Sequence, residues 1–556
     1  MKYLKIFGGV CVLIMLYACS KGSKTTPDPA PPVAPASFSF NAIRVNGVNS
    51  GFKYINVNAK PVIKLSFSTP VNRASVAGSV AVASNTGETA AYTATYQNGD
   101  STLVLTPTLK PITQYTVNIS TALKSAKDGN LQSALSVQLT TAVDSTNKFA
   151  TITDDQLLDL VEKQTLKYFY DFGHPTSGLA RERNTSGDVV TTGGSGFGIM
   201  AIVAGINRNF ISHADGLARM QKIVGFLNTK AQKFHGAFPH WLNGSTGAVV
   251  PFSAQDNGAD LVETSYLMQG LLTARQYFSS SNAAETQLRT DINTLWNGVE
   301  WDWFRQGNQN VLYWHWSPDQ GFAINMKITG WNEALIVYAL AASSTTHSIT
   351  KAVYDEGWAN NGAMKNGNTY FGIQLPLGPP QGGPMFFAHY SFLGINPKGL
   401  TDAYANYETQ NKAHAMINYN YCVANPNSKG GYSADCWGLT ASDIQGGYTA
   451  SSPTNDVGVI APTAAIASLP YTPTQSMQAL KFFYYKLGDK LWGQYGFYDA
   501  FNLTDPWFAD SYLAIDQGPI VIMVENYRSG LLWNLFMSAP EVKTGMKSLG
   551  FAGPNL

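Results

Sequence analysis

The stretch Asp154-Asp155-Gln156-Leu157-Leu158-Asp159-Leu160-Val161 is where the chain changes character. Acidic residues open it, and apolar residues then recur at helical spacing as far as Tyr168-Phe169-Tyr170, the pattern of a capped amphipathic helix. Before it, between residues 37 and 142, the period is two. Val62-Ile63-Lys64-Leu65-Ser66-Phe67-Ser68, Ser101-Thr102-Leu103-Val104-Leu105-Thr106 and Tyr115-Thr116-Val117-Asn118-Ile119 alternate apolar and polar residues. Turn formers separate them, as in Asn98-Gly99-Asp100 and Asp128-Gly129-Asn130. Short strands at this spacing predict an all-β sandwich. After Thr151 helical patterns continue at about 195–209, 213–232, 260–279, 284–298, 330–342, 348–360, 401–418, 460–469, 473–487, 507–513 and 516–537. Long loops rich in Gly, Pro, Asn and Trp join them. About a dozen helices over residues 150–556 fit an all-α (α/α)6 toroid, in which inner helix ends and loops form one cleft.

Further toward the amino terminus, Lys2 and Lys5 precede an apolar run from Ile6 to Tyr17, the layout of an export signal over residues 1–19. Leu16-Tyr17-Ala18-Cys19 resembles a bacterial lipobox, which implies lipidation of Cys19 and anchoring in the cell envelope, at the outer membrane on its periplasmic or surface face. An ordinary cleaved signal peptide is the alternative. Residues 20–36, rich in Lys, Ser, Thr, Pro and Ala, cannot bury a core and read as a tether. In the sandwich, Leu105-Thr106-Pro107 with Leu109 and then Tyr115-Thr116-Val117 resembles the bacterial Ig-like domains that precede surface enzymes. A spacer or docking role is expected of it.

Composition narrows the partners. Only 13% of the 556 residues are charged and the formal net charge is +1, with no basic run, which argues against nucleic acid. The chain has 12 Trp, 28 Tyr and 28 Phe. Aromatic-rich, charge-poor clefts suit neutral sugars, although most such rings fill cores. Gly193-Gly194-Ser195-Gly196-Phe197-Gly198 lacks the strand and glycine spacing of a phosphate loop. Outside the leader the cysteines are Cys422 and Cys436. In an exported chain a disulfide closing that loop is expected, worth ~3 kcal/mol, with two buried free thiols as the alternative. No Cys/His set has zinc-ligand spacing, and neither metal nor cofactor is expected.

Three carboxylates crowd Gln255-Asp256-Asn257-Gly258-Ala259-Asp260-Leu261-Val262-Glu263-Thr264. In a helix, Asp256, Asp260 and Glu263 share one face at i, i+4 and i+7, where like charges push their pKa values apart. Alternatively Asn257-Gly258 is a turn, Asp260 a helix cap and Glu263 its capping-box partner. In Gly330-Trp331-Asn332-Glu333-Ala334, Glu333 enters an apolar helix beside Trp331; partial desolvation raises its pKa, as a general acid requires. The polar run Gly438-Leu439-Thr440-Ala441-Ser442-Asp443, after Cys436-Trp437, suits sugar hydroxyls.

With these pieces the chain from about 155 to 551 resembles the bacterial glucoamylase-like family whose studied members act on β-1,2-glucans. The matching motifs are Gly330-Trp331-Asn332-Glu333-Ala334, Gly383-Pro384-Met385-Phe386-Phe387-Ala388-His389-Tyr390-Ser391 and Cys436-Trp437-Gly438-Leu439-Thr440-Ala441-Ser442-Asp443. Tyr495-Gly496-Phe497-Tyr498-Asp499-Ala500-Phe501-Asn502, Ile515-Asp516-Gln517-Gly518-Pro519 and Glu525-Asn526-Tyr527-Arg528-Ser529-Gly530-Leu531-Leu532-Trp533 follow in order. The resemblance implies an (α/α)6 hydrolase of β-1,2-linked glucan or its oligosaccharides, exo- or endo-acting. Its acidic cluster corresponds to Asp256, Asp260 and Glu263 here, and its separate acidic residue to Glu333. Glu333 is then expected as acid, with Asp260 or Asp256 as base, in a metal-free and inverting hydrolysis. Trp241, His389, Tyr390, Trp437, Asp443 and Asp516 are subsite candidates, and a monomer is expected. A non-catalytic glycan-capture lipoprotein and a polysaccharide lyase are the competing classes.

Overall fold

In the computed structural model, which describes residues 34–556, the switch near residue 150 separates two bodies. The leader, Cys19 and most of the tether lie outside the described residues. The first body has strands β1 (Phe40–Val45), β2 (Lys53–Val57), β3 (Ile63–Phe67), β4 (Val80–Ser84), β5 (Tyr92–Gln97), β6 (Thr102–Pro107), β7 (Gln114–Ile119) and β8 (Leu135–Thr141), with helix α1 (Arg73–Ser79) between β3 and β4. They form two four-stranded sheets in the orders β1-β3-β6-β5 and β2-β8-β7-β4. The period-two pattern sets which side chains meet: Ile63, Leu65 and Phe67 of β3 point inward onto Val82, Val117 and Leu139 of the facing sheet, while Lys64 and Ser66 face outward.

The second body is helical. Its helices are α2 (Asp154–Tyr170), α3 (Thr192–Asn207), α4 (His213–Thr229), α5 (Leu261–Tyr277), α6 (Ala283–Asn297), α7 (Leu335–Ser343), α8 (Lys351–Val353), α9 (Tyr407–Ala424), α10 (Pro462–Ile466), α11 (Pro473–Leu491), α12 (Ala514–Arg528), α13 (Leu531–Ser538) and α14 (Pro540–Ser548). Thr153 caps α2 in a full capping box with Gln156. Segment 507–513, expected to be helical, instead begins with the short strand Trp507–Phe508.

Burial sorts the helices into two rings. Helices α3, α5, α7, α10 and α12 and the tight turns at 385–393 are buried on all sides. Helices α2, α4, α6 and α11 bury one stripe only. This is the layout of a helical toroid. The glycines of α3 make its inner ring tight: a Cβ on Gly196 would lie 2.1 Å from the Tyr266 carbonyl oxygen of α5. The run Gly193–Gly198 is thus a close helix contact.

Cys422 and Cys436 are free thiols, fully buried beside Trp437 and Leu439, which corrects the expected disulfide. In that apolar setting each serves as a small hydrophobe. Among the described residues no helix is long and apolar enough to cross a membrane.

Candidate functional site

The acidic stretch does not form one helical face. Helix α5 starts only at Leu261, and Asp260 is its cap, accepting the Glu263 N–H at 2.9 Å. Asp260 also pairs with His315 in a short antiparallel bridge. Asp256 sits in the loop before it, where its carbonyl accepts the Phe252 N–H at 2.9 Å. Asn257-Gly258 breaks the helix, so the cap reading holds for Asp260. The return half of the capping box is missing. The Glu263 carboxylate instead accepts the Gly193 N–H at 2.7 Å and the Thr191 hydroxyl at 3.3 Å, at the amino-terminal end of α3.

Two histidines hold this cluster. His240 Nδ1 donates to Asp260 Oδ2 at 3.1 Å and lies 3.8 Å from Asp256 Oδ2. His315 Nε2 lies 3.7 Å from both of those oxygens. Burial opposes charge on His240, but Glu263, the Asp260 bond and Asp256 outweigh it and lift its pKa to about 9, so it is an imidazolium at neutral pH. Asp260 is fully buried, yet the His240 bond, both imidazoles and the Glu263 N–H hold its pKa below the usual carboxylate range. Asp256 is pushed up to about 7 by burial and by Asp260, and its buried Oδ1 has no partner. Glu263 is raised by burial, against the pull of His240. Donor atoms of His240, Asp256 and Asp260 lie within 4.8 Å of one another.

Glu333 faces this cluster. It lies in the turn before α7, two residues ahead of Leu335, and not inside the helix as its apolar surroundings predicted. Tyr266 donates to its carbonyl at 3.3 Å, and Ser391 holds the same oxygen. Burial raises its carboxyl to about 7, with smaller contributions from Glu263 and Asp260. Glu182, Glu263 and Glu333 line one cavity of 450 Å³, with Trp241, Tyr266 and Tyr390 among the rings around them. A cleft of this size, mostly apolar with a few convergent carboxyls, suits a sugar ring.

The subsite candidates divide. Trp241 and Tyr390 line the cavity. Asp443 sits beside it on a smaller cavity, tied to Arg183 at 3.2 Å and to the Ser511 hydroxyl at 2.6 Å. Asp516 is buried under the cleft, where burial and neighbouring Asp499 hold its carboxyl well above the usual range. Trp437 and His389 are corrections. Trp437 is fully buried and donates to the Gln475 carbonyl; His389 is buried against Ser468, and burial drops its pKa to about 3. Both are core residues. Sequence reasoning missed His240, His315, Glu182, Arg183 and Phe252. Phe252 is 53% exposed at the rim and stacks on His240 with centroids 4.4 Å apart.

Comparison with known proteins follows this geometry. Residues 325–540 match the family model described as "Putative glucoamylase", and residues 41–151 match the bacterial Ig-like domain. The exo β-1,2-glucooligosaccharide sophorohydrolase (non-reducing end) of Parabacteroides distasonis is 49% identical over 421 residues. That match takes in 72% of this chain and 58% of the relative's length, so the chain spans little more than half of that curated relative. A crystal structure of β-1,2-glucanase from the same organism is 39% identical and covers 93% of this chain and 73% of its own, with a TM-score of 0.70. The endo-β-1,2-glucanase of Chitinophaga pinensis, solved with sophorotriose and glucose, is 51% identical with a TM-score of 0.71, covering 73% of this chain and 100% of its own. With that identity over a whole relative, and with Glu333 and the acidic cluster on one cavity, the chain belongs to the glucoamylase-like glycoside hydrolase family that contains the β-1,2-glucanases.

Proposed function

We propose that this protein hydrolyses β-1,2-linked glucan or its oligosaccharides with Glu333 as general acid. The observation that carries this reading is a carboxyl with its pKa at about 7 facing a second carboxyl across one aromatic cavity. Glu333 stays protonated at near-neutral pH and gives its proton to the glycosidic oxygen. Of the acidic cluster only Glu263 lines the cavity, so Glu263 takes the base role in place of Asp260 or Asp256. Its partners at the end of α3 and the His240 imidazolium favour its ionised form while water is activated. Asp260 positions: it caps α5 and fixes His240. Trp241 and Tyr390 offer ring faces to the sugar C–H surfaces. No step calls on a metal, and inversion is expected of two carboxyls that leave room for water. The β-1,2-glucan activities named for the similar proteins support the linkage.

Export and lipid anchoring through Cys19, and action as a monomer in the cell envelope, belong to the same reading; mass spectrometry of the mature amino terminus checks the lipid. The decisive experiment is incubation with linear β-1,2-glucan, with starch and β-1,3-glucan as controls, and chromatography of early products. Hydrolysis of the β-1,2 polymer alone is expected, and its absence overturns the reading. Product NMR should give the inverted anomer.

A further inference from the structure

The cavity that holds Glu333 stops at a bar. Residues Ala441–Ile444 and Gly447–Ala450 form a two-stranded hairpin in which Asp443 faces Tyr448. Gly446 at its tip takes φ 79°, which a side chain would strain. Both ends of the hairpin are fastened. At the stem, Arg183 Nη1 donates to both Asp443 oxygens at 3.2 Å, Ser511 donates at 2.6 Å, and the Asp443 N–H donates to Asp499 at 2.7 Å. At the tip, Gln445 Nε2 donates to the Asp505 carbonyl at 2.9 Å and Asn502 donates to Gln445 at 3.2 Å. Arg183 and Tyr448 line both the 450 Å³ cavity and the 420 Å³ cavity beyond it, so they are the partition between the two. Tyr448 keeps 47% of its surface exposed, although it stands between these walls.

We propose that this hairpin is an end stop for the glucan chain, and that Glu182, Arg183 and Tyr448 recognise a terminal glucosyl unit there. The inference rests on the β-1,2-glucan reading above and adds its point of attack. An internal unit of such a chain has its 2-hydroxyl tied up in the next linkage. A unit at the non-reducing end has that hydroxyl free. Glu182 lines the catalytic cavity beside Arg183, whose Nη2 donates to Glu182 at 3.1 Å and has a second N–H left over. Acceptor and donor together match a free hydroxyl. An internal unit offers no hydroxyl to the spare Arg183 N–H and Glu182 lone pairs beyond their ion pair, and it meets the hairpin with the rest of its chain.

The test compares linear β-1,2-glucan with a ring-closed β-1,2-glucan of similar size, which has no ends. The wild-type protein should cut the linear chain roughly 100-fold faster than the ring or better, a ratio typical of discrimination by one lost contact and a clash. Tyr448→Ala, and Gln445→Ala at the exposed tip, should narrow that ratio at least about tenfold and lengthen early products. Equal cutting of ring and chain by the wild type overturns the end stop and leaves glucan hydrolysis standing. An unchanged ratio in both variants also overturns it. No products from the linear chain sinks the underlying reading instead. The wild-type comparison and Gln445→Ala keep the test open if Tyr448→Ala fails to fold.

Discussion

At the scale of single residues, the site is a set of carboxyls whose protonation is arranged by neighbours. Glu333 must hold its proton, so kcat should fall as pH rises through about 7. Glu333→Gln should lower kcat about 10²–10⁴-fold and remove that alkaline limb, read from a pH–rate profile on β-1,2-glucan. Asp256 carries a stability cost of the same origin. Its pKa rises from 3.8 unfolded to about 7 folded, so the cost is absent below pH 3.8, grows as pH rises and is complete above about 7. Asp256→Asn should therefore raise Tm at pH 8 more than at pH 4, by calorimetry, whatever it does to activity. Part of this was legible beforehand. Asp260 and Glu263 carried a cap signature, and Glu333 stood out as a charge in an apolar run. His240 and His315 were not legible, because their pairing with Asp260 depends on chain folding across 20 and 55 residues. Trp437 and His389 sat in motifs that looked like subsites, and a motif does not say whether a ring faces a cleft or a core.

At the scale of elements, the inner helices place the chemistry. Thr191, Gly193 and Asp260 stand at the starts of α3 and α5, and Glu333 and Asp516 stand at the starts of α7 and α12. The Gly196 contact sets how closely the first two approach. Gly196→Ala puts a methyl against the Tyr266 carbonyl and should cost about 1–3 kcal/mol, measured as a lower denaturant midpoint with unchanged m. It should also weaken activity, because Glu263 and its partner Gly193 lie on the same pair of helices. Periodicity found most of the helices, but it drew one over 507–513, missed α14 and joined α12 to α13, and the boundaries moved. Asn257-Gly258 and the turn before α7 moved the carboxyls out of the helices that periodicity had drawn through them.

At the scale of the whole molecule, the sandwich is docked and not merely tethered. Lys53 lies 3.8 Å from Asp505, and Thr140 donates to the Thr504 carbonyl. The connecting segment lays Phe149 against Tyr484, with centroids 4.7 Å apart, and over Gly488 of α11, where a Cβ would meet the ring at 2.3 Å. Phe149→Ala should cost about 2 kcal/mol, since the ring is only half-buried. It should also split one calorimetric transition into two as the bodies uncouple. The order of sandwich before toroid was readable from the change of period near residue 150. Their docking was not, because it depends on one ring meeting one glycine far along the chain.

The two free cysteines give the molecule a built-in clock. Cys422 and Cys436 lie at zero exposure, and burial raises both thiols far above their ordinary range. An alkylating reagent has no route to a thiolate in the native state. Modification must then wait for the core around Trp437 to open, and its rate follows that opening. Mass spectrometry after timed alkylation should find both sites reacting together and slowly. Gly196→Ala should quicken both in step with its loss of stability, so the toroid reports its own opening without an added label.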